Sequence, residues 1–416
     1  MAPEILEHTF YPHTNEARLL RSSVIEFAEA HVAPRALEVD RAGAEDALEY
    51  AKEIVRRAAE ARLLSLIVPE ELGGPGGLTY EGSNVLEVLS YYDAGTATTI
   101  GAIWLGLLPI YIAGLGDGGE SWRRWLKPFL EAEERGDPQI WAFAITEPEA
   151  GSDYERVEPG SKPSLTTVAK PLPSGGYEIS GRKIFISNGP IASHVTVFAV
   201  TDPERPIETM MCAVVTREMG FKVAQVFDKM GHRSSPTGEL VFEEVRVPPE
   251  NVVCKPGSGW EFVEMTLTLS RAPVGAIGLG IAKRAFQAAL DYAKTRIQGG
   301  RPIVEHQLVK YKLSAMLERV AYAESLIYTV ARKIDEAPTP LKIVESSVAK
   351  AVGADVAVLN SIDAIQIYGG YGYMRETGVE KLLRDAKLIQ IYEGTNEINR
   401  LTVMERYLEY GGVLLD

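Results

Sequence analysis

Two changes of periodicity limit this chain more than any other feature. From residue 16 to about residue 135, apolar side chains recur every three or four positions, as in ARLLRSSVIEFAEAHV and EDALEYAKEIVRRAAEARLL. That is the spacing of helices with one buried face. The character changes at about Trp141. Between Leu165 and Pro248 the chain reads as short strands: LTTVAK, YEISGRKIFIS, HVTVFAV, MMCAVVT, FKVAQVF and ELVFEEVRV. Gly-Gly, Ser-Gly and Asp-Pro signals punctuate them. Turns rather than helices join the strands, so the expectation is an antiparallel sheet or barrel and not a doubly wound fold. After CKPGSGW the helical spacing returns over 260–294, 305–336, 340–368 and 396–410. The pattern predicts an α+β protein with an N-terminal helical domain (1–140), a middle β domain (141–255) and a C-terminal helical bundle (256–416).

A chain of 416 residues, 46% apolar and 24% charged, can bury a large core. Its formal net charge of -14 argues against a nucleic-acid partner, while leaving room for a local basic pocket that holds a phosphorylated small molecule. Two cysteines, Cys212 and Cys254, form no C-x-x-C, and the six histidines show no metal-ligand spacing. Neither a disulfide framework nor a metal site is expected, and a reducing cytoplasm is the expected location. The N-terminus lacks the basic start and apolar run of a signal peptide. The stretch TTIGAIWLGLLPIYIAGLG approaches the length of a membrane span, but it holds Pro109 and several glycines and has no basic flank before it. It reads as a buried helix pair in a soluble core, with no membrane partner.

Several familiar sites are missing. There is no Walker loop and no G-x-S-x-G elbow. GAIGLG, at residues 275–280, has the wrong spacing for a dinucleotide fingerprint and lies in a helix, where its glycines would permit close packing. Polar and glycine-rich signals gather in three stretches instead. AFAITEPEAGSD leads from the helical part into the β part; Thr146 and Ser152 supply hydroxyls, and Gly151 allows close backbone approach. GRKIFISNG is a strand ending in a Ser187-Asn188-Gly189 turn. In IQIYGGYGYMRETGVEKLLRDAKLIQIYEGTNEINR, Gly369, Gly370 and Gly372 interrupt a helix, which resumes after Val379 and breaks again at Tyr392-Glu393-Gly394. Thr395 is placed to cap the next helix, with Glu397 in its first turn. Taken singly, these are a turn, a strand end and a helix break with a solvated glutamate.

Together with MGHRSSPTGELVFEEVRVP and RIQGGRPIVEHQ, the three stretches stand in the order and spacing of the acyl-CoA dehydrogenase family of flavoproteins, which the chain resembles from about residue 15 to 410. The resemblance implies FAD between the β domain and the C-terminal helices, an acyl-CoA substrate, a homotetramer, and an electron-transfer flavoprotein as electron acceptor. It makes Glu393 the base that takes the α-proton while the β-hydrogen leaves as hydride to flavin N5, giving a trans-2-enoyl-CoA. The Glu393 backbone N–H and a flavin ribityl hydroxyl would form the oxyanion hole. Gly394 would clear room for the thioester beside Tyr392. Some members carry their base just before the arginine that Arg271 matches; Ser270 stands there and cannot serve.

By the same matching, Phe143, Ile145 and Thr146 contact the flavin ring. Gly151 and Ser152 lie near the cofactor, and Ser152 also near CoA. Phe185, Ile186 and Ser187 pack beside the ring, with Phe185 and Ser187 replacing the usual Trp and Thr. Arg271 is implied as a CoA-binding arginine. Arg296, Gln307, Gln366, Gly369 and Gly370 reach the FAD of a neighbouring subunit. Thr395 and Glu397 fall where the last motif meets its FAD, and Glu397 is equally well a first-turn helix acid. Three departures stand out: Thr268 where the family has Asp, Gly299 where an aromatic usually packs on adenine, and an apparent insertion over 155–164. An acyl-CoA oxidase would use the same residues but pass its electrons to oxygen. A non-catalytic scaffold would have lost the base and the flavin motifs.

Overall fold

The computed structural model describes residues 3–7, 9–155, 164–173 and 175–409. Ahead of the sheet lie α1 (Glu4–Glu7), α2 (Asn15–His31), α3 (Ala36–Arg41), α4 (Ala44–Glu60), α5 (Thr79–Tyr92), α6 (Ala94–Gly116) and α7 (Lys127–Glu134). Local chemistry explains where two of them begin. The Thr14 hydroxyl accepts the Ala17 amide at 3.2 Å, and the Asp93 carboxylate accepts the Thr96 amide at 2.8 Å. Each satisfies a donor that the first turn of a helix leaves unpaired. The apolar stretch noted above is one helix, α6, which runs through Pro109 and packs against α5 and the sheet.

The sheet contains β1 (Trp141–Ala144), β2 (Val168–Pro171), β3 (Tyr177–Ser187), β4 (His194–Val200), β5 (Met210–Thr216), β6 (Lys222–Val226), β7 (Thr237–Val247) and β8 (Val252–Cys254); α8 (Pro206–Thr209) precedes β5. Its order is β6-β7-β3-β2-β4-β5-β8, with β1 alongside β4. Most pairs are antiparallel, but β1 runs parallel to β4, and β2 meets β4 in parallel at Val168 and Val200. LTTVAK becomes a strand only at Val168, because the amides of Thr166 and Thr167 bond to the Glu147 carboxylate. The β3–β7 ribbon shifts register between Lys183 and Ile186. A bulge of this kind re-aims side chains; here Phe185 takes φ 59° and is 62% exposed.

The chain then returns to helices: α9 (Gly259–Thr295), a hairpin of β9 (Ile297–Gln298) and β10 (Arg301–Pro302), α10 (Gln307–Glu336), α11 (Ile343–Tyr368), α12 (Val379–Ile389) and α13 (Asn396–Glu409). The glycines of GAIGLG let α9 touch α11. A Cβ on Gly278 would stand 2.4 Å from the Gly353 carbonyl oxygen, so any larger residue would force the two backbones apart. The two helical segments, separated in sequence by the sheet, share one apolar core that includes Leu89, Ile103, Leu279 and Ile327. The sheet keeps a core of its own around Val195, Val197, Leu240 and Val245. The apparent insertion lies outside the described residues except for its two ends.

Candidate active site

Between the shared helical core and the sheet lies a cavity of about 190 Å³. It brings together parts of three stretches far apart in sequence: Phe143, Ile145 and Thr146; Phe185, Ile186 and Ser187; and Tyr392, Glu393 and Gly394. Its other walls are mainly apolar, with Leu86, Trp104, Leu105 and Leu108 and with Val263, Pro273, Val274 and Ile277, and Thr98 and Ser270 add hydroxyls. The Trp104 indole is fixed by donating to the Leu64 carbonyl at 2.9 Å.

Glu393 occupies the break between α12 and α13 in a left-handed backbone conformation, φ 58°, followed by Gly394 at φ 77°. For a residue with a Cβ this conformation costs roughly 1–2 kcal/mol, so neighbouring contacts must hold it. They come from buried groups. Arg271 Nε donates to the Glu393 carbonyl at 3.1 Å. Lys350 Nζ donates to the Gly394 carbonyl at 2.7 Å and to Asn396 Oδ1 at 3.1 Å. Asn399 Nδ2 donates to the carbonyls of Gly394 at 2.8 Å and Thr395 at 2.9 Å. The Thr395 hydroxyl accepts the Ile398 amide at 3.2 Å and starts α13. Thus Gly394 is required by its backbone angle, a reason distinct from the expected need for room.

The Glu393 side chain is held as well: Ser270 Oγ donates to its Oε2 at 2.8 Å. Beside it, the orientation of Tyr392 follows from a histidine. His232 Nε2 lies 3.0 Å from the carbonyl oxygen of Asp385, which can only accept, so Nε2 carries the proton. His232 Nδ1 therefore accepts from the Thr98 hydroxyl at 2.9 Å, and the Thr98 oxygen lies 3.5 Å from the Tyr392 hydroxyl. Burial lowers the His232 pKa to about 4, which keeps the ring neutral, and desolvation pushes the Tyr392 hydroxyl well above its ordinary value.

Not every expected residue reaches this cavity. Arg271, expected at the nucleotide, is fully buried behind the Glu393 loop, where it also donates to Ser347 Oγ at 3.0 Å. Its guanidinium does not line the cavity. Ser152 sits beside the loop instead of in the wall, its Oγ accepting the Thr395 amide at 3.3 Å, and Gly151 bonds locally to Asp153 at 2.6 Å. Glu397 is exposed in the first turn of α13, and hydrogen bonds from its own amide and from Thr395 hold its carboxyl below the ordinary range. Arg296, Gly369 and Gly370 line a second cavity, about 430 Å³, together with Tyr368 and Tyr371. Gln307 and Gln366 are exposed and do not line it.

Sequence reasoning missed Lys350, His232, Thr98 and the bond from Ser270. Lys350 did carry a signal: it is the lone cation in the helical run VAKAVGADVAVL, whose one other charged residue is Asp355. His232 carried none, because its partner Asp385 is 153 positions away.

The residues around Phe185 suit a flavin. A planar ring with one polar edge needs an open aromatic face, small hydroxyls and a rigid strand end. Phe185 supplies the face, with Phe227 packed 5.2 Å behind it, and Thr146 and Ser187 supply the hydroxyls. Buried Lys183 stiffens the strand end by donating to the Ile145 carbonyl at 2.8 Å and to Glu147 at 2.7 Å.

Two helical segments on one core, a sheet packed against them, and a carboxylate lining the same cavity as Phe185, Thr146 and Ser187 fit the class of flavin oxidoreductases. Comparison with known proteins makes the class specific. Models of the acyl-CoA dehydrogenase N-terminal, middle and C-terminal domains match residues 14–133, 142–245 and 257–408. An acyl-CoA dehydrogenase of Bacillus subtilis (strain 168) is 35% identical, over 95% of this chain and 98% of its own length. The structure of butyryl-CoA dehydrogenase from Megasphaera elsdenii is 32% identical and superposes with a TM-score of 0.85, over 96% of this chain and 99% of that one. A chain from a structure titled for the electron transferring flavoprotein of Acidaminococcus fermentans is 33% identical, with a TM-score of 0.86 over 96% of this chain and 99% of that one. The protein belongs to the acyl-CoA dehydrogenase family: it is an FAD-dependent oxidoreductase.

Proposed function

We propose that the enzyme desaturates the α,β-bond of an acyl-CoA thioester with an uncharged, apolar acyl chain, using Glu393 as the base. One observation carries this reading: Glu393 stands on a strained, multiply held loop in the wall of the cavity that Phe185, Thr146 and Ser187 also line. The α-proton of a thioester is too weakly acidic for a carboxylate to remove unless the carbonyl is polarised. The Glu393 backbone N–H is the protein donor assigned to that task, with the carboxylate of the same residue taking the proton. Phe185, Thr146 and Ser187 would hold FAD, which would supply the acceptor for the β-hydrogen, with an electron-transfer flavoprotein as the onward acceptor.

The chain preference comes from the walls. Among the described residues lining the cavity, Glu393 is the only charged one. A second carboxylate at the far end of the acyl chain would lose hydration there without gaining a partner. The test is anaerobic bleaching of the bound flavin by butyryl-, octanoyl- and glutaryl-CoA. The first two are expected to bleach it and glutaryl-CoA is not; bleaching by glutaryl-CoA alone would overturn the reading.

The second cavity belongs to the same proposal. Arg296, Gly369 and Gly370 are exposed at it, as are Tyr371 at 57% and Met374 at 48%. A guanidinium, glycine backbone and an open tyrosine together fit the dinucleotide end of an FAD held by another copy in a tetramer. Tyr371 offers an aromatic surface where Gly299 lacks one. Sedimentation of the FAD-loaded protein tests it, with a monomer as the contrary result.

A further inference from the structure

We propose that Ser270 is a positioning residue for the base: its hydroxyl, bonded to Oε2, sets the orientation of the Glu393 carboxylate in the cavity. This rests on the reading of Glu393 as the base.

The geometry comes from two adjacent residues of α9 that grip opposite ends of one residue. Arg271 Nε holds the Glu393 carbonyl at 3.1 Å, and Ser270 Oγ holds Oε2 at 2.8 Å. A serine inside a helix ordinarily spends its single proton on the carbonyl four residues back; here the proton goes to a side chain 123 positions away. Buried Arg271, Lys350 and Asn399 fix the loop backbone and hence the direction of the Glu393 Cα–Cβ bond. That leaves the side-chain torsions, and the Ser270 bond restrains the terminal one, which is otherwise broad. Ser270 also lines the cavity, so the same hydroxyl limits how closely substrate approaches the carboxylate.

A hydrogen bond donated to a carboxylate favours its charged form. Removing the bond is therefore expected to raise the proton affinity of that carboxylate, which the titration below reads. The titratable and charged groups around the loop include Arg271 from α9, Lys350 and Asp355 from α11, Glu397 and Arg400 from α13 and Tyr392 itself, with Asp385 of α12 and His232 behind Tyr392. Arg271 donates to the Glu393 carbonyl and Ser347 Oγ, Lys350 to the Gly394 carbonyl and Asn396 Oδ1, and Ser270 Oγ to the carboxylate.

The experiment uses FAD-loaded wild type, Ser270→Ala, Ser270→Thr and Glu393→Gln. Infrared difference titration follows the carboxylic-acid band that Glu393→Gln removes, which needs no turnover. Exchange of the α-hydrogens of butyryl-CoA in D2O is followed in parallel by mass spectrometry. Loss of the bond is expected to move the midpoint of the band upward by about one pH unit in Ser270→Ala and to slow exchange about tenfold near that midpoint. Ser270→Thr, which keeps the hydroxyl, is expected to restore both. A midpoint unmoved in Ser270→Ala, or moved equally in Ser270→Thr, overturns the role of Ser270. Full exchange in Glu393→Gln would instead overturn the identity of the base, while the infrared midpoints still decide whether Ser270 holds that carboxylate.

Discussion

The two cavities are built on opposite principles. Around Glu393 a strained backbone is held by buried donors from α9, α11 and α13, so one chain fixes the loop by itself. Around Arg296 the groups are exposed and loosely engaged. Arg296 Nη2 reaches Gln298 at 3.3 Å, and its guanidinium sits 5.5 Å from the Tyr371 ring. The contrast separates chemistry from binding. A base must be positioned to within a fraction of an ångström before substrate arrives. A site for the distal end of a cofactor can be completed by another subunit.

Substitutions can break this comparison. The largest effect is expected at the base itself: Glu393→Gln should lower α-hydrogen exchange by about 10²–10⁴-fold without loss of bound FAD, measured by exchange in D2O and by flavin absorbance. Next comes its support. Lys350→Met leaves the Gly394 carbonyl and Asn396 Oδ1 without that donor. It should cost about 1–3 kcal/mol of stability, read as a fall in Tm, together with a slower exchange rate. If Lys350→Met changes neither, the loop is not held as described.

The third prediction concerns acid. His232 has its folded pKa lowered to about 4, below the ordinary 6.5. As pH falls, the unfolded chain therefore binds the proton first. The stability tied to the neutral ring is complete above about pH 6.5 and is lost progressively toward pH 4, by roughly 3 kcal/mol at most. The difference in unfolding free energy between wild type and His232→Gln should shrink across that window; a constant difference would contradict the neutral, buried ring. Smaller still, Gly394→Ala should cost about 1–2 kcal/mol from its φ of 77°. Finally, Arg296→Ala at the second cavity should leave Tm nearly unchanged and weaken FAD retention on dilution about tenfold. An equal loss of Tm there would erase the distinction between the two regions.

Much of the site was legible because short motifs encode local backbone. The break at Tyr392-Glu393-Gly394, the cap at Thr395 and the strand end at Phe185–Ser187 depend on neighbours in sequence. The failures have a common cause. Arg271 looked like a nucleotide ligand, and only its burial behind the loop shows that it holds main chain. Ser270 could be dismissed as a base from its chemistry alone, but its partner lies on another helix. The bulge that exposes Phe185 depends on the register of β3 against β7, which a period-two pattern does not specify.

By itself, the sequence determined the succession of helices, strands and helices and the glycines at which helices meet; periodicity and turn chemistry act over a few residues, so these were readable locally. The base and the flavin wall were legible only through the resemblance of several motifs, in order, to a family, since each stretch alone read as a turn, a strand end or a helix break. Tertiary structure alone decided that the two helical segments share one core, that Glu393 is gripped from α9, and that Arg296 faces a different cavity. Those outcomes depend on hydrogen bonds and packing between residues from tens to hundreds of positions apart, where no local pattern constrains which side chains meet.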